Sequence, residues 1–214
     1  MKFEIVCFDC DSTLSAIEGI DELARRVGLG EQMAALTHAA MNGEVPLQAV
    51  YAQRLDAIRP DRAAIAWVAD LYIAQLVDGA REAVSQLQEQ GAKVHIISGG
   101  LRQAILPLAQ FLGIPAEQVH AVDVYFNTNG SYQDFDRTAL LAQTGGKAKV
   151  CRQLNPKQHT LAMIGDGQTD LEAQQAGAVV IGFGGVVARP AVQAQADYFV
   201  SDARLDGVLR YILD

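Results

Sequence analysis

Five short apolar runs recur along the chain, at residues 3–8, 93–97, 160–164, 179–183 and 198–200. They are too short for helices, and most are continuous rather than alternating, as expected of parallel strands covered on both faces. Strand-like runs alternate with helical patterning, which predicts an α/β fold with a parallel sheet wrapped by helices. Three of the runs stop in loops rich in Ser, Asp or Gly, at 9–13, 98–100 and 165–167. In open α/β sheets ligands bind at the carboxyl ends of strands, so these loops are the first candidates for a site.

The alternation breaks between about residues 15 and 75, where four helical stretches follow one another without a strand. In the first, Ile20, Leu23, Ala24 and Val27 share a face and Gly28 can stop the helix. The last begins after Pro60 with Asp61 as its N-cap. The pattern predicts a helical insertion over 15–75, in a core made of 1–14 and 76–214. Residues 119–127 and 131–135 flank Thr128-Asn129-Gly130, whose Asn-Gly pair favours a tight turn, so a β-hairpin is expected over about 119–136. Pro107 lies inside an apolar helical pattern, which predicts a kink or a later helix start.

Two strand ends carry acids. Phe8-Asp9-Cys10-Asp11-Ser12-Thr13 sets two carboxylates two residues apart, an expensive arrangement to bury unless a cation or proton compensates. One carboxylate can attack phosphorus while the other handles a proton; an Asx-turn with a Ser/Thr cap is the structural alternative. Ile164-Gly165-Asp166-Gly167-Gln168-Thr169-Asp170 repeats the theme, and Asp9 and Asp166 on neighbouring strand ends suit Mg²⁺, which favours oxygen ligands and few carboxylates. Thr169 or Asp170 as a plain helix cap is the alternative there. Ser98-Gly99-Gly100 can hold phosphate oxygens at a helix N-terminus through a hydroxyl and unhindered N–H groups. Lys147, after Gly145-Gly146 and before another helix, can supply a point positive charge.

Composition narrows the partner. The 214 residues are half hydrophobic, enough for a sizeable core, and the net charge is −8. An acidic surface disfavours nucleic acid or an anionic membrane, and requires a phosphate site to be made positive locally. No apolar run approaches the roughly 20 residues of a membrane span. The chain enters a strand at once, without a signal core, and Cys7, Cys10 and Cys151 make no disulfide framework, so a cytoplasmic protein is expected.

Asp9-Cys10-Asp11-Ser12-Thr13, Ser98, Lys147 and Gly165-Asp166-Gly167 with Asp170, in this order along nearly the whole chain, resemble the haloacid dehalogenase (HAD) superfamily of phosphatases. Within it the chain is most similar to the phosphoserine phosphatases. Glu18-Gly19-Ile20-Asp21-Glu22-Leu23-Ala24 looks like their cap entry, and Ala40-Met41-Asn42-Gly43 with Arg54-Leu55 like their substrate-binding stretch. Residues 125–136 look like their hairpin, and Phe183-Gly184-Gly185 like their later core loop. The resemblance implies a Rossmann-like core with a small helical-bundle cap, and hydrolysis of a small phosphomonoester, O-phospho-L-serine, through an aspartyl-phosphate. It implies Asp9 as nucleophile and Asp11 as general acid and base. It further implies that Ser98, Gly99 and Lys147 would hold the phosphoryl group, that Mg²⁺ would be held by Asp9, Asp166 and the carbonyl of Asp11 with Asp170 behind, and that Glu18, Met41 and Arg54 would contact substrate, Glu18 taking the ammonium and Arg54 the carboxylate. Two positions depart from the family pattern: Leu47 stands where Phe is expected, and Asn42 where a smaller residue is usual.

Other readings are weaker. Cys7 and Cys10 have the spacing of a redox pair, but Cys7 belongs to a buried strand and a neighbouring carboxylate disfavours thiolates. Gly182-Phe183-Gly184-Gly185-Val186-Val187 begins like a dinucleotide motif but lacks the third small residue. His38, His95, His120 and His159 have no zinc-ligand spacing. A non-catalytic module on this fold would be free to lose any of these groups. A phosphotransferase that passes the phosphoryl group to an alcohol would carry the same machinery.

Overall fold

The computed structural model describes residues 2–42, 44–155 and 161–213. Its centre is a six-stranded sheet of β1 (Ile5–Phe8), β2 (Lys93–Leu101), β3 (Val119–Val122), β6 (Leu161–Gly165), β7 (Val179–Phe183) and β8 (Tyr198–Val200). Every neighbouring pair is parallel, in the order β3-β2-β1-β6-β7-β8. The α/β expectation holds, and the apolar runs are buried for the expected reason. Val6, Cys7 and Phe8 in β1 and Ala162, Met163 and Ile164 in β6 are all fully enclosed between helical layers. The first strand begins at Ile5 rather than residue 3, and Thr160 lies outside the described residues.

The order places β1 beside both β2 and β6. From β1 the chain builds outward to β3 on one side, then returns to build β6, β7 and β8 on the other. The switch point, where loops after adjacent strands diverge and leave a crevice, therefore lies between β1 and β6. Those are the two strands that end in Asp9 and Asp166.

Four helices follow β1 before the next core helix: α1 (Gly19–Arg26), α2 (Gly30–Met41), α3 (Leu47–Ile58) and α4 (Arg62–Ala74). Helix α1 buries Ile20, Leu23 and Ala24, and the chain leaves it through Gly28 at φ +79°. Asp61 caps α4 by accepting from the Ala64 N–H at 2.7 Å. The entry and exit of this helical segment are zipped together, with Ala16 N donating to Gln75 O and Val77 N to Leu14 O.

The remaining helices are α5 (Ala80–Glu89), α6 (Arg102–Phe111), α7 (Gly146–Leu154), α8 (Gln168–Leu171), α9 (Pro190–Gln195) and α10 (Leu209–Ile212). Helix α6 starts at Arg102 and runs on through Pro107, which removes one helical hydrogen bond without ending the helix.

Two expectations need correction. Ser98-Gly99-Gly100 is not a helix N-terminus. Strand β2 continues to Leu101, and Ile97 to Leu101 spans only His120 to Val122 on β3, so the three residues form a bulge. The stretch expected as one strand over 119–127 is also two, ending at Phe126. β3 joins the main sheet, and only β4 (Val124–Phe126) forms the hairpin with β5 (Tyr132–Phe135). The break comes at Asp123, where Gln103 of α6 donates to the Asp123 carboxylate and accepts from the Val124 N–H.

Among the described residues no helix is long and apolar enough to cross a membrane. Because one side-chain oxygen satisfies the start of α4, Asp61→Ala should lower unfolding free energy by about 1 kcal/mol. A shifted denaturant midpoint at unchanged slope is the expected reading.

Candidate active site

The site assembles at the β1–β6 switch point. Asp9 follows β1 directly, and its N–H donates to the Ile164 carbonyl of β6 at 2.8 Å, which carries the ladder one residue past the strand. Its carboxylate is buried. Oδ1 accepts from the Cys10 N–H at 2.7 Å, and Oδ2 lies 2.7 Å from Nζ of Lys147. Lys147 comes from the first turn of α7, as its sequence context predicts, and its ammonium also lies 2.7 Å from Oδ1 of Asp170. Burial opposes the charge on Lys147, but Asp170 and Asp9 outweigh it and raise its pKa, so the lysine stays cationic.

Asp170 reaches the lysine from α8 while its Oδ2 accepts from the Gly167 N–H at 3.0 Å. It is both a helix cap and a charge partner. Gly165 makes this possible, since a Cβ there would lie 2.1 Å from Cγ of Asp170. Asp166 is buried too. Its Oδ2 receives Nε of Arg189 at 3.0 Å, and Thr13 Oγ1 approaches Oδ1 at 3.5 Å.

Asp9, Asp166 and Asp170 bring one oxygen each within 4.8 Å of one another, the one such group of three among the described residues. Four buried or half-buried carboxylates, with Asp11, face two cations, Lys147 and Arg189. Burial first, and the surplus negative charge after it, show in the titration. Burial, then Asp9 and Asp170, push Asp166 well above the usual range. Burial likewise pushes Asp170 up to about 7, although Lys147 pulls it down. An all-oxygen donor set with excess negative charge fits a hard divalent cation.

Asp11 extends toward the helical segment. Its Oδ1 accepts from the Gly19 N–H at 2.6 Å and from the Tyr72 hydroxyl at 2.8 Å, and Ser98 Oγ lies 3.3 Å from Oδ2. Burial and then Asp9 raise its pKa to about 6, against the opposing effect of these donors. Ser98 also accepts from the Gly100 N–H within the bulge.

Glu18, Met41 and Arg54 meet these groups from the other side. A cavity of about 30 Å³ is lined by Asp9, Asp11, Ser98, Gly99, Lys147 and Asp166 from the strand ends and by Glu18, Met41 and Arg54 from the helices. Of the expected site residues only Asp170 stands behind the wall. Leu47 and Tyr51 complete the apolar part, Leu47 where Phe was expected. Glu18 accepts from Ser12 Oγ at 2.7 Å, and burial raises its pKa, with Asp11 adding to the effect. Arg54 is 3% exposed; Nη2 pairs with Asp21 at 3.0 Å while Nε is buried without a partner. Neither residue is a solvated surface charge.

Cys7 and Cys10 are fully buried free thiols. Burial, then Asp11 and Asp9, raise the Cys10 pKa, which disfavours the redox reading. His95 and His120, distant in sequence, lie 3.1 Å apart on β2 and β3 without a third ligand-type neighbour among the described residues. His159 and Gly43 lie outside those residues.

Sequence reasoning missed Arg189, Tyr72, Asp21 and the Gly19 N–H. Arg189 is a lone arginine before a proline at a helix start, and nothing local marks it as the partner of Asp166. It also donates to Asn42 Oδ1 at 3.3 Å, so the unusual Asn42 joins α2 to the strand-end site.

The haloacid dehalogenase-like hydrolase family model matches residues 3–177. The chain belongs to that family. Phosphoserine phosphatase of Bos taurus is 41% identical over 93% of this chain and 89% of its own length, and that of Homo sapiens 42% over the same shares. A phosphoserine phosphohydrolase-like protein from Francisella tularensis has the same fold, with a TM-score of 0.86 at 25% identity, over 99% of this chain and all of that one. The family resemblance expected from the motifs is thus borne out.

The raised carboxyls set a pH dependence. Between about pH 4, where unfolded Asp carboxyls ionise, and about pH 6 for Asp11 or about 7 for Asp170, the metal-free folded chain keeps protons that the unfolded chain has released. Stability is therefore greatest below that window and falls as pH rises through it. The Tm of chelator-treated protein should fall from pH 5 to pH 7.5, and a divalent cation should reverse most of the loss. A Tm that rises over the same range without metal would contradict the charge surplus.

Proposed function

We propose that the chain is a magnesium-dependent phosphomonoester hydrolase that converts O-phospho-L-serine to L-serine and phosphate. One observation carries this reading. A buried Asp9, gripped by Lys147, shares a cavity with Asp11 and Ser98 from the strand ends and with Glu18 and Arg54 from the helical segment. The first group suits a phosphoryl centre, and the second suits the ammonium and carboxylate of an amino acid. The relatives named phosphoserine phosphatase support the same substrate.

In this reading Asp9 attacks phosphorus and the bond from phosphorus to the serine oxygen breaks. Protonated Asp11 gives its proton to that oxygen, so serine leaves neutral at its hydroxyl. Asp11, now ionised, takes a proton from water; the hydroxide attacks phosphorus, the Asp9–phosphorus bond breaks, and phosphate departs. The raised pKa of Asp11, about 6, suits a group that alternates between acid and base. Ser98 and the Gly99 backbone bind phosphoryl oxygens, and Lys147 balances their charge. Asp9, Asp166 and the Asp11 carbonyl would hold Mg²⁺, with Asp170 fixing Lys147 behind it. Bound there, Mg²⁺ supplies positive charge to the phosphoryl oxygens.

Arg54 can grip the substrate carboxylate, and its unpartnered buried Nε is consistent with an unmet demand for an acceptor. Met41 and Leu47 close the apolar side. The cavity has room for about two waters. A phosphoamino acid needs more, so residues 15–75 act as a cap that opens over a core of 1–14 and 76–214. Free buried thiols suit a reducing cytoplasm.

A phosphate-release panel over small phosphomonoesters tests the reading. Phosphoserine should be preferred, excess chelator should abolish turnover, Mg²⁺ should restore it, and Asp9→Asn should fall to near background. Arg54→Ala should lose about 30- to 1000-fold in kcat/KM on phosphoserine, or about 2–4 kcal/mol, while an aryl phosphate is largely spared. Equal losses on the two esters would assign Arg54 to the fold or the general phosphate site.

A further inference from the structure

Two donors from the helical segment converge on one oxygen of Asp11. The Gly19 N–H, at the start of α1, donates to Oδ1 at 2.6 Å, and the Tyr72 hydroxyl, near the end of α4, donates to the same atom at 2.8 Å. Oδ2 is left facing Ser98 and the glycine bulge, on the cavity side. The phenol reaches this position by lying directly against Gly19: a Cβ at Gly19 would sit 2.0 Å from the hydroxyl oxygen. Tyr72 is 1% exposed, so its ring is fixed by packing. Three residues later the chain is pinned to the strand-end loop, where Gln75 O accepts from both Ala16 N and Ser15 Oγ. The hydroxyl is therefore held at a fixed height above the end of β1, without touching the reacting atoms.

We propose that Tyr72 is the positioning residue of the acid–base carboxylate: its hydroxyl, with the Gly19 N–H, pins Oδ1 of Asp11 and commits Oδ2 to proton exchange with the leaving oxygen. This rests on the role of Asp11 proposed above. A carboxylate free to rotate about χ2 would present either oxygen, and only one faces the phosphoryl site. Tyr72 thereby reserves one rotamer of Asp11, and because both donors belong to the helices, the general acid is fully oriented only when the helical segment is seated on the strand ends.

Leaving groups separate this role from a packing role. An alkyl phosphate such as phosphoserine needs a proton on its departing oxygen, whereas p-nitrophenyl phosphate departs as a stabilised phenolate. Tyr72→Phe keeps the ring and removes the hydroxyl. Its kcat/KM on phosphoserine should fall about ten- to thirtyfold, and on p-nitrophenyl phosphate by less than about threefold. Asp11→Asn should show the same preference more strongly, and adding Tyr72→Phe to it should cost nothing further on phosphoserine. Equal losses on both esters in Tyr72→Phe, or additive losses in the double variant, would overturn the proposal and leave Tyr72 as packing. Unchanged phosphoserine turnover in Tyr72→Phe beside a discriminating Asp11→Asn would overturn it and leave the Asp11 role intact. If Asp11→Asn itself fails to discriminate, the acid role of Asp11 falls and the Tyr72 proposal with it.

Discussion

Everything at this site depends on how buried negative charge is held where β1 and β6 part. Asp9, Asp166 and Asp170 are each almost fully removed from water, and burying such charges unpaired would cost several kcal/mol per ion. Lys147 offsets part of that by bridging Asp9 and Asp170, and Arg189 offsets more at Asp166. What remains appears as raised carboxyl pKa values. The strand ends are thus left with a deficit of positive charge, a donor set that suits a divalent cation.

The helical segment does more than cover this charge. It contributes two donors to Asp11, the carboxylate of Glu18, the guanidinium of Arg54 and the amide of Asn42 that meets Arg189. Tyr51 adds a hydrogen bond to the Gly99 carbonyl at 2.8 Å, and Thr144 exchanges hydrogen bonds with Leu47 N and Gln48. Of these residues Asp11, Glu18, Leu47, Tyr51, Arg54 and Gly99 line the cavity itself. In the proposed reaction the segment that recognises the amino acid also orients the acid, so the same helices serve binding and proton transfer.

The strand ends were legible because their meaning is local. A continuous apolar run that stops at Asp9 or Asp166 announces both the buried strand and the acid at its tip, and Asp61 before an apolar helix announces a cap. Lys147 was legible through the glycines before it. The rest depends on neighbours far along the chain. Ser98-Gly99-Gly100 reads as a turn, and only the register against β3 makes it a bulge. The stretch 119–127 reads as one strand, and only the grip of Gln103 on Asp123 and Val124 divides it. Tyr72 sits among apolar helix positions and reads as core, while Arg189 acquires its role only when the loop after β7 folds over β6.

In the proposed reaction the Asp9 carboxylate accepts the phosphoryl group. Acid quenching of a single turnover with phosphorus-labelled phosphoserine, followed by peptide mass spectrometry, tests it most directly. The expected result is an acid-stable acyl phosphate on the peptide that carries Asp9, formed and lost at rates compatible with turnover, and absent in Asp9→Asn. Phosphate release at the full rate with no label on that peptide, or with label on another residue, would contradict it.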